Sequence, residues 1–340
     1  MRKSLSCVIA AALCTAVMTS APAAGQTSPG TGPAAPGSGQ PYPAKPIRLV
    51  VGFAAGGPTD IIARVLAQHM TAPLGQTVVV ENRTGANAII ATDLVARAAP
   101  DGYTALFSSL SLLVNAILSP DKIKYDPFKD FAPVSNAASL PMVVVTRPST
   151  PVNSMRELIA LAKRRPAEVT YGSAGHGGSA HLAGAMLETM GNVRMTHVSF
   201  RGNAPALIDV MSGQVTFMVY PIIGIAEFVS ANKLKVLAVG TAKRHPDFPS
   251  VPTAAESGFA GFEQCAPWVG MLVPAGTPTP IVNRLSDEMR KALAKPEVVT
   301  RLNALGAEII GDTPAGFAAF LKKDYERWTR VIRTAGVKAE

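Results

Sequence analysis

The chain contains few cysteines, and their positions exclude a disulfide framework. Cys7 and Cys14 lie in a leader-like segment, and Cys265 stands alone in the rest of the sequence. One thiol cannot form an internal disulfide, and no spacing of cysteine and histidine indicates a metal site. We therefore expect buried apolar surface to stabilise the folded chain.

Long apolar runs are also scarce. Residues 5–18 are apolar, follow Arg2 and Lys3, and precede small residues at 21–24, which is typical of a secretory signal. The run is shorter than the roughly 20 residues that span a bilayer, and residues 11–13 form a poor lipobox ahead of Cys14. We predict a signal peptide at residues 1–24 and a Gly/Pro-rich spacer at residues 25–43, which is too poor in apolar residues to fold.

Basic residues exceed acidic ones, but they do not cluster. The net charge is +9, and it falls to +7 (9 − 2) without Arg2 and Lys3. No basic run with interleaved aromatic residues is present, so the sequence does not indicate nucleic-acid binding. A modest excess of cations favours acidic small solutes. The residues after the spacer, about 300, are long for one core and sufficient for two lobes.

One stretch, IRLVVGFAAGGPTD at residues 47–60, combines a buried strand, a small-residue loop and a helix start. Pro58 is tolerated in the first helical turn because its missing N–H would be unpaired there. Gly56 and Gly57 have no Cβ, so a ligand can approach the backbone closely. The stretch predicts an anion pocket made of main-chain N–H groups. An ordinary strand–turn–helix connection is the alternative.

Strands and helices alternate after this stretch, which is typical of a parallel sheet with covering helices. In such sheets ligands lie beyond the carboxyl ends of the strands, where we place the loops at residues 54–60 and 108–111. A second glycine-rich junction, GSAGHGGS, follows a strand at residues 169–171 and opens a helix at Ser179. Two such junctions facing each other across a cleft would hold the two ends of one small anion.

Seven stretches occur in a fixed order from about residue 42 to the C-terminus: YPAKPIRLVVGFAAGGPTDIIAR, LGQTVVVENRTGA, APDGYTALF, YGSAGHGGSAHLAG, HVSFRGNAPALIDVMSGQV, LAVGTAKRHPDFPSVPTAAESG and WVGMLVPAGTP. In these stretches the sequence resembles the extracytoplasmic solute-binding receptors of the tripartite tricarboxylate transporter family, also called Bug or TctC proteins. The resemblance covers nearly the whole chain after the spacer.

The resemblance implies an α/β, two-lobed fold of the periplasmic-binding-protein type (type II, Venus flytrap). Lobe 1 would comprise residues 44–141 plus 268–340 and lobe 2 residues 142–267, with hinge crossings near residues 142–146 and 268–273. It implies a periplasmic, monomeric receptor that is not an enzyme and has no cofactor. Its solute would be a dicarboxylate, a tricarboxylate, an acidic amino acid or an aromatic acid, and its partners would be the membrane permease subunits.

The resemblance also places one carboxylate on main-chain N–H groups and ordered water at the first loop, and the far end of the solute on the second lobe. Asp60 would cap the helix, order a water, or accept from a ligand hydroxyl or amine. Arg201 would pair with a second carboxylate or bridge to an acidic neighbour, and Tyr220 would cover an aromatic ring. The expected ligand-binding residues are Ala55, Gly56, Gly57, Thr59, Asp60, Ser108, Ser109, Ser173, Gly175, His176, Gly178, Ser179, Arg201, Asn203, Ala204 and Tyr220.

Two departures from the family pattern lie near the expected cleft. Residues 87–91 read NAIIA where the family continues with glycines, and His176 replaces a small or aliphatic residue. Two other functions remain open. Residues 175–180, GHGGSA, fit the loose form of a dinucleotide fingerprint, which would indicate a secreted enzyme. A binding protein without a transporter, used for sensing, would carry the same pocket.

Overall fold

The computed structural model describes residues 42–337. The predicted signal peptide and all but the last two residues of the predicted spacer lie outside the described residues. Within residues 42–337, none of the helices combines the length and the apolar character needed to cross a membrane.

Strands and helices alternate along most of the described chain. The strands are β1 (Ile47–Val51), β2 (Val78–Asn82), β3 (Thr104–Ser109), β4 (Phe131–Ser139), β5 (Met142–Thr146), β6 (Thr170–Ser173), β7 (Thr196–Ser199), β8 (Phe217–Pro221), β9 (Lys235–Gly240), β10 (Trp268–Pro274) and β11 (Glu308–Ile309). The helices are α1 (Pro58–Leu74), α2 (Ile89–Ala96), α3 (Ser111–Leu118), α4 (Met155–Arg164), α5 (Ser179–Gly191), α6 (Asn203–Ser212), α7 (Ile225–Ser230), α8 (Thr279–Leu293), α9 (Pro296–Ala304) and α10 (Pro314–Ala335).

The strands form two sheets, and each sheet with its helices makes one lobe. The first lobe contains the order β11-β4-β10-β3-β1-β2, and the second contains β7-β6-β8-β5-β9. β1 is parallel to β2 and β3, and β6 is parallel to β7 and β8, whereas β10 and β5 are antiparallel to their neighbours. Because helices cover both faces of the second sheet, a central strand such as β5 is buried throughout and apolar except for Thr146. The predicted two-lobed α/β fold is confirmed.

The chain crosses between the lobes just before β5 and just before β10. Leu140 N–H donates to Pro267 O at 2.8 Å, and Ile222 N–H donates to Pro141 O at 2.8 Å. The crossings were expected near residues 142–146 and 268–273, and they lie immediately before these ranges, because β5 lies wholly in the second sheet and β10 wholly in the first. The Leu140–Pro267 hydrogen bond therefore joins the two crossings side by side, and Ile222, which follows β8, is bonded to the first of them.

Two elements near the crossings were not predicted from the sequence. Residues 108–111 were expected to form a loop, but Ser108 and Ser109 end β3 and Ser111 begins α3. β4 is the other addition, and it pairs with β10 along its length. Its sequence, FAPVSNAAS, lacks the alternation that marks a strand, so its pairing with β10 decides its conformation.

The C-terminal helix α10 packs against both lobes. Trp328 and Ile332 of α10 join Leu110 and Val114 of the first lobe and Leu182 of α5 in one apolar cluster. The Trp328 ring is fully buried there. The apolar face of α10 therefore holds α3 and α5 together on one side of the cleft.

We expect Trp328→Ala to lower the free energy of unfolding by about 3–5 kcal/mol, because truncation of a buried aromatic ring loses apolar burial and leaves a cavity. Urea denaturation measures the change. Lys323→Ala, an exposed position on the same helix, is the matched control and should stay within about 0.5 kcal/mol of the parent. Equal losses in both variants would show that α10 does not contribute through this cluster.

Candidate ligand-binding cleft

Two cavities lie between the lobes, an outer one of about 550 Å³ and an inner one of about 30 Å³. Phe53, Asn87 and Ala174 line both cavities and mark the boundary between them. The other residues of the outer cavity are Gly52, Gly85, Ala86, Ala88, Ile89, Asn115, Ser119, Lys122, Gly175, His176, Ser199, Phe200 and Arg201. The other residues of the inner cavity are Gly57, Pro58, Thr59, Ser109, Ser111, Leu140, Gly178, Ser179, Asn203, Pro221 and Pro267.

Helix N-termini surround the inner cavity. α1 and α3 of the first lobe and α5 and α6 of the second all begin at residues that line it. A helix start carries a partial positive charge and N–H groups without intrahelical acceptors. Their convergence makes the inner cavity suited to an anion.

The Asp60 carboxylate fixes the loop that begins α1. Its Oδ2 accepts from Gly56 N–H at 2.9 Å and from Arg64 Nε at 2.8 Å, and its Oδ1 accepts from Asn82 Nδ2 at 2.8 Å. Burial opposes ionisation, but the hydrogen bonds from Arg64, Gly56 and Asn82 hold the pKa of the Asp60 carboxyl below its usual value. Asp60 is therefore an ionised group that shapes the loop and lines neither cavity.

Some N–H groups of this loop already donate a hydrogen bond within the protein, and others have no acceptor. Gly56 N–H donates to Asp60, and Gly57 N–H donates to Ala54 O at 3.3 Å. Thr59 N–H and Asp60 N–H have no acceptor among residues 42–337. Ala55 and Gly56 are exposed and line neither cavity. The structure thus brings Gly57 and Thr59, but not Ala55 or Gly56, to the inner cavity.

Of the serines at and after the end of β3, two line the inner cavity and one does not. Ser109 and Ser111 line the inner cavity, with their Oγ atoms 3.3 Å apart. Ser108 is buried and lines neither cavity, because neighbouring strand residues point to opposite faces. Two hydroxyl groups therefore stand beside the start of α1.

The second-lobe loop contains one structural and several cavity-lining residues. Ser173 is fully buried, its Oγ donates to Gly175 O at 2.9 Å, and it lies 2.6 Å from His197 Nε2. Ser173 therefore shapes the loop without lining a cavity. Gly175 and His176 line the outer cavity, and Gly178 and Ser179 line the inner one. Gly177 has a φ of +73°, which favours glycine, and a Cβ there would also lie 3.1 Å from the Leu118 side chain of the first lobe.

Three imidazole rings support this loop. The His181 ring lies 4.4 Å from that of His176 and 4.0 Å from that of His197, and Gly177 N–H donates to His181 Nδ1 at 3.0 Å. Burial, together with the two neighbouring rings, lowers the pKa of His181 to about 3. The nitrogens lie within 4.8 Å of one another. Because Nδ1 accepts a hydrogen bond from Gly177 N–H, the neutral His181 ring carries its proton on Nε2, and neither nitrogen offers a metal a free lone pair.

Arg201, Asn203 and Ala204 follow β7. Arg201 is exposed and lines the outer cavity, and no acidic residue within the described chain pairs with it. Asn203 lines the inner cavity, and its buried Oδ1 has no hydrogen-bond partner in residues 42–337. Ala204, the second residue of α6, lines neither cavity.

Tyr220 requires a correction. It was expected to cover a ligand ring, but it lies buried in the apolar core beneath α6 and lines neither cavity. Its strand, β8, is a central strand between β6 and β5, and α5 and α6 pack against it, so all its residues are buried. The pKa of Tyr220 is raised by this burial.

Sequence reasoning did not assign Asn87 and Phe53 to the site. Asn87 was noted only as a departure from the family pattern, and Phe53 only as part of the stretch at residues 47–60, with no role in binding. Both reach the cavities because the chain turns sharply after β1 and β2. Local sequence carries no signal for this, apart from a polar residue where glycine was expected.

The charged side chains that line the cavities carry one sign. Lys122 and Arg201 line the outer cavity, and neither lining set includes an aspartate or a glutamate. The Asp60 carboxylate, in the helical turn beside the inner cavity, is paired with Arg64. The cleft therefore attracts anions by side-chain charge as well as by helix dipoles.

A two-lobed α/β protein with an anion-attracting cleft at its hinge has the architecture of a solute-binding protein. A sequence model described as "Tripartite tricarboxylate transporter family receptor" matches residues 62–337. The chain belongs to this family, as its sequence motifs predicted.

Known relatives agree with this assignment. The chain is 39% identical over 292 residues to a UPF0065 protein from the tcbD-tcbE intergenic region of Pseudomonas sp. strain P51, and the match covers 86% of each chain. The structure of the periplasmic binding protein BugD matches with 36% identity and a TM-score of 0.83, covering 88% of this chain and all of BugD.

Two similar structures contain a carboxylate. Rpa4515 of R. palustris with adipate is 34% identical with a TM-score of 0.85, covering 88% of this chain and 100% of that one. MatC (Rpa3494) of Rhodopseudomonas palustris with bound malate is 34% identical with a TM-score of 0.81, covering 86% of this chain and 100% of that one.

We expect acid to weaken the fold through His181. Its folded pKa of about 3 lies below the ordinary 6.5, so the unfolded chain binds more protons between these values and the free energy of unfolding falls as the pH is lowered through this window. The contribution is about 1.4 kcal/mol per pH unit.

Urea titrations at pH 7.5, 6.5 and 5.5 measure this dependence. His181→Gln keeps an acceptor for Gly177 N–H but has no titrating ring. Its free energy of unfolding should therefore fall less between pH 6.5 and 5.5 than that of the parent. An unchanged slope in this variant would show that His181 does not carry the dependence.

Proposed function

We propose that this protein is a periplasmic receptor that binds a small carboxylate between its lobes and delivers it to a tripartite transporter in the membrane. The observation that carries the proposal is the available Thr59 N–H group, which lies at a cavity where helices of both lobes begin. Asp60 N–H, next to it in the first turn of α1, also has no acceptor in residues 42–337. Membership of the transporter receptor family supports delivery to a permease. The leader-like segment at residues 1–24 and the periplasmic relative support the location.

The sizes of the cavities fit one end of a carboxylate solute in the inner cavity and its remainder in the outer one. A volume of about 30 Å³ holds one or two waters, and the two oxygens of a carboxylate need a similar space. In this arrangement Thr59 N–H and Asp60 N–H donate to the carboxylate, and the hydroxyls of Ser109 and Ser111 lie beside it. The outer cavity, of about 550 Å³, accommodates the rest of the solute.

The second lobe completes the site. The starts of α5 and α6 face the inner cavity through Ser179 and Asn203, and Arg201 stands at the outer cavity. Since each lobe supplies only part of the donors, closure of the lobes around the solute accounts for the affinity. We assign Arg201 to a second carboxylate, which its planar guanidinium holds in a bidentate pair.

A thermal-shift screen of the purified protein against di- and tricarboxylates, acidic amino acids and aromatic acids tests the proposal, since a bound solute raises the melting temperature. Gly57→Asp should then lower the affinity for the best solute on the order of 100-fold or more, because the new carboxylate caps α1 and occupies the anion position. The backbone at Gly57 is extended (φ −80°), so a side chain is tolerated there.

Gly57→Ala is the matched control, because it adds the same Cβ near Ala54 O without the charge. It should weaken binding by less than about tenfold. Equal losses in the two variants, measured by isothermal titration calorimetry, would show that crowding rather than charge is responsible and would contradict the proposed anion site.

We expect Arg201→Gln to lower the affinity for a dicarboxylate by about 10- to 100-fold, because a charge-assisted hydrogen bond is lost. The parent protein and Arg201→Gln should bind the monoamide of the same acid with equal affinity. The affinity of Arg201→Lys for the dicarboxylate should fall between those of the parent and Arg201→Gln. Calorimetry on each acid and its monoamide measures this. If the variant weakens acid and monoamide equally, Arg201 does not contact a second carboxylate.

A further inference from the structure

The backbone at residues 86–88 adopts a conformation that residues with a Cβ rarely take. Ala86, Asn87 and Ala88 have φ angles of 46°, 50° and 71°, all in the left-handed region that favours glycine. Three such residues in succession persist only where surrounding contacts impose the conformation. Here the run places the Asn87 side chain at the boundary between the two cavities.

Asn115 fixes the orientation of the Asn87 amide. Asn115 Nδ2 donates to Asn87 O at 2.9 Å, which fixes Asn115 Oδ1 as the acceptor on its other side. Asn87 Nδ2 donates to that Oδ1 at 2.9 Å. Because an amide oxygen cannot replace the nitrogen as donor, Asn87 Oδ1 must point away from Asn115. Its identity as an acceptor therefore follows from the hydrogen-bond network.

This oxygen is buried and has no hydrogen-bond partner in residues 42–337. The nearest part of the second lobe does not supply one: a Cβ placed on Gly178 would lie 3.5 Å from Oδ1, but Gly178 N–H donates to Gly175 O at 3.1 Å. An acceptor that stays buried without a donor is unfavourable. Since Asn87 lines the cavity that also exposes Thr59, a bound solute can provide the donor.

We propose that Asn87 Oδ1 accepts a hydrogen bond from a hydroxyl or ammonium group of the solute, so that the site selects hydroxy- or amino-carboxylates over unsubstituted acids of the same length. The inference rests on the proposed carboxylate-binding function. The carboxylate lies on Thr59 N–H and Asp60 N–H, and its substituent faces Asn87. Asn203, on the opposite wall, has a second buried amide oxygen without a partner in the described chain and can rotate its amide to suit the same substituent.

Matched sets of acids test this selectivity by isothermal titration calorimetry at pH 7.5. The sets are succinate with malate and aspartate, glutarate with 2-hydroxyglutarate and glutamate, and adipate with 2-hydroxyadipate and 2-aminoadipate. In the set of the preferred length, one donor-bearing acid should bind about tenfold or more tighter than the unsubstituted acid, since the latter leaves the acceptor unsatisfied.

Asn87→Gly removes the acceptor at a backbone conformation that glycine adopts readily. The variant should lose this preference, because its affinity for the donor-bearing acid should fall about tenfold while its affinity for the unsubstituted acid stays unchanged. Asn232→Gly is the matched control, because Asn232 is exposed and has a similar φ of 52°; it should retain the parent ratio. Thermal melts without solute confirm that both variants fold.

The outcomes separate the two proposals. If no acid in any set, nor any in the thermal-shift screen, binds the parent protein, the carboxylate function fails and this inference fails with it. If acids bind but the unsubstituted member is as tight as its partners, or if Asn87→Gly weakens all members equally, the carboxylate function stands and the inference is overturned. Equal weakening would assign Asn87 to lobe closure, and equal affinities would assign a water to its oxygen.

Discussion

Backbone N–H groups in the first turn of a helix need acceptors that the helix cannot supply, and several helices of this protein begin at one small cavity. Much of the local structure serves this arrangement. Gly57 and Pro58 let the chain enter α1 without a side-chain cap, and Gly178 does the same at α5. As a result, Thr59 N–H remains available at the inner cavity, and Asp60 N–H beside it has no acceptor within the described chain.

The surrounding groups keep this cavity free of negative charge. Asp60 is ionised but directs its oxygens to Gly56, Arg64 and Asn82. The packed imidazoles beneath the second-lobe loop stay compact because His181 is neutral, and Gly177 N–H fixes its tautomer. Negative charge is thus neutralised on the first lobe by ion pairing, and the second lobe contributes no aspartate or glutamate to either cavity lining.

Local signals in the sequence predicted much of the architecture. Glycine-rich loops between an apolar strand and a helix predicted both halves of the cleft, because such loops are encoded within a few residues. Longer-range features escaped prediction. Tyr220 was expected at the cleft, but it lies on a central strand against which α5 and α6 pack, and β4 is a strand because β10 pairs with it. The Asn87–Asn115 pair joins residues 28 apart in sequence, and nothing local indicates it. The glycines correctly indicated which loops lie at the cleft. They did not indicate which N–H groups in those loops lack an acceptor.

Hydrogen–deuterium exchange with and without the best solute tests most directly whether both lobes bind one anion through their helix starts. Bound solute should slow exchange at residues 57–61 of the first lobe and, at the same solute concentration, at residues 178–182 and 203–207 of the second, because the same molecule accepts from or covers these amides. Protection confined to one lobe, or protection elsewhere with these segments unchanged, would contradict the account.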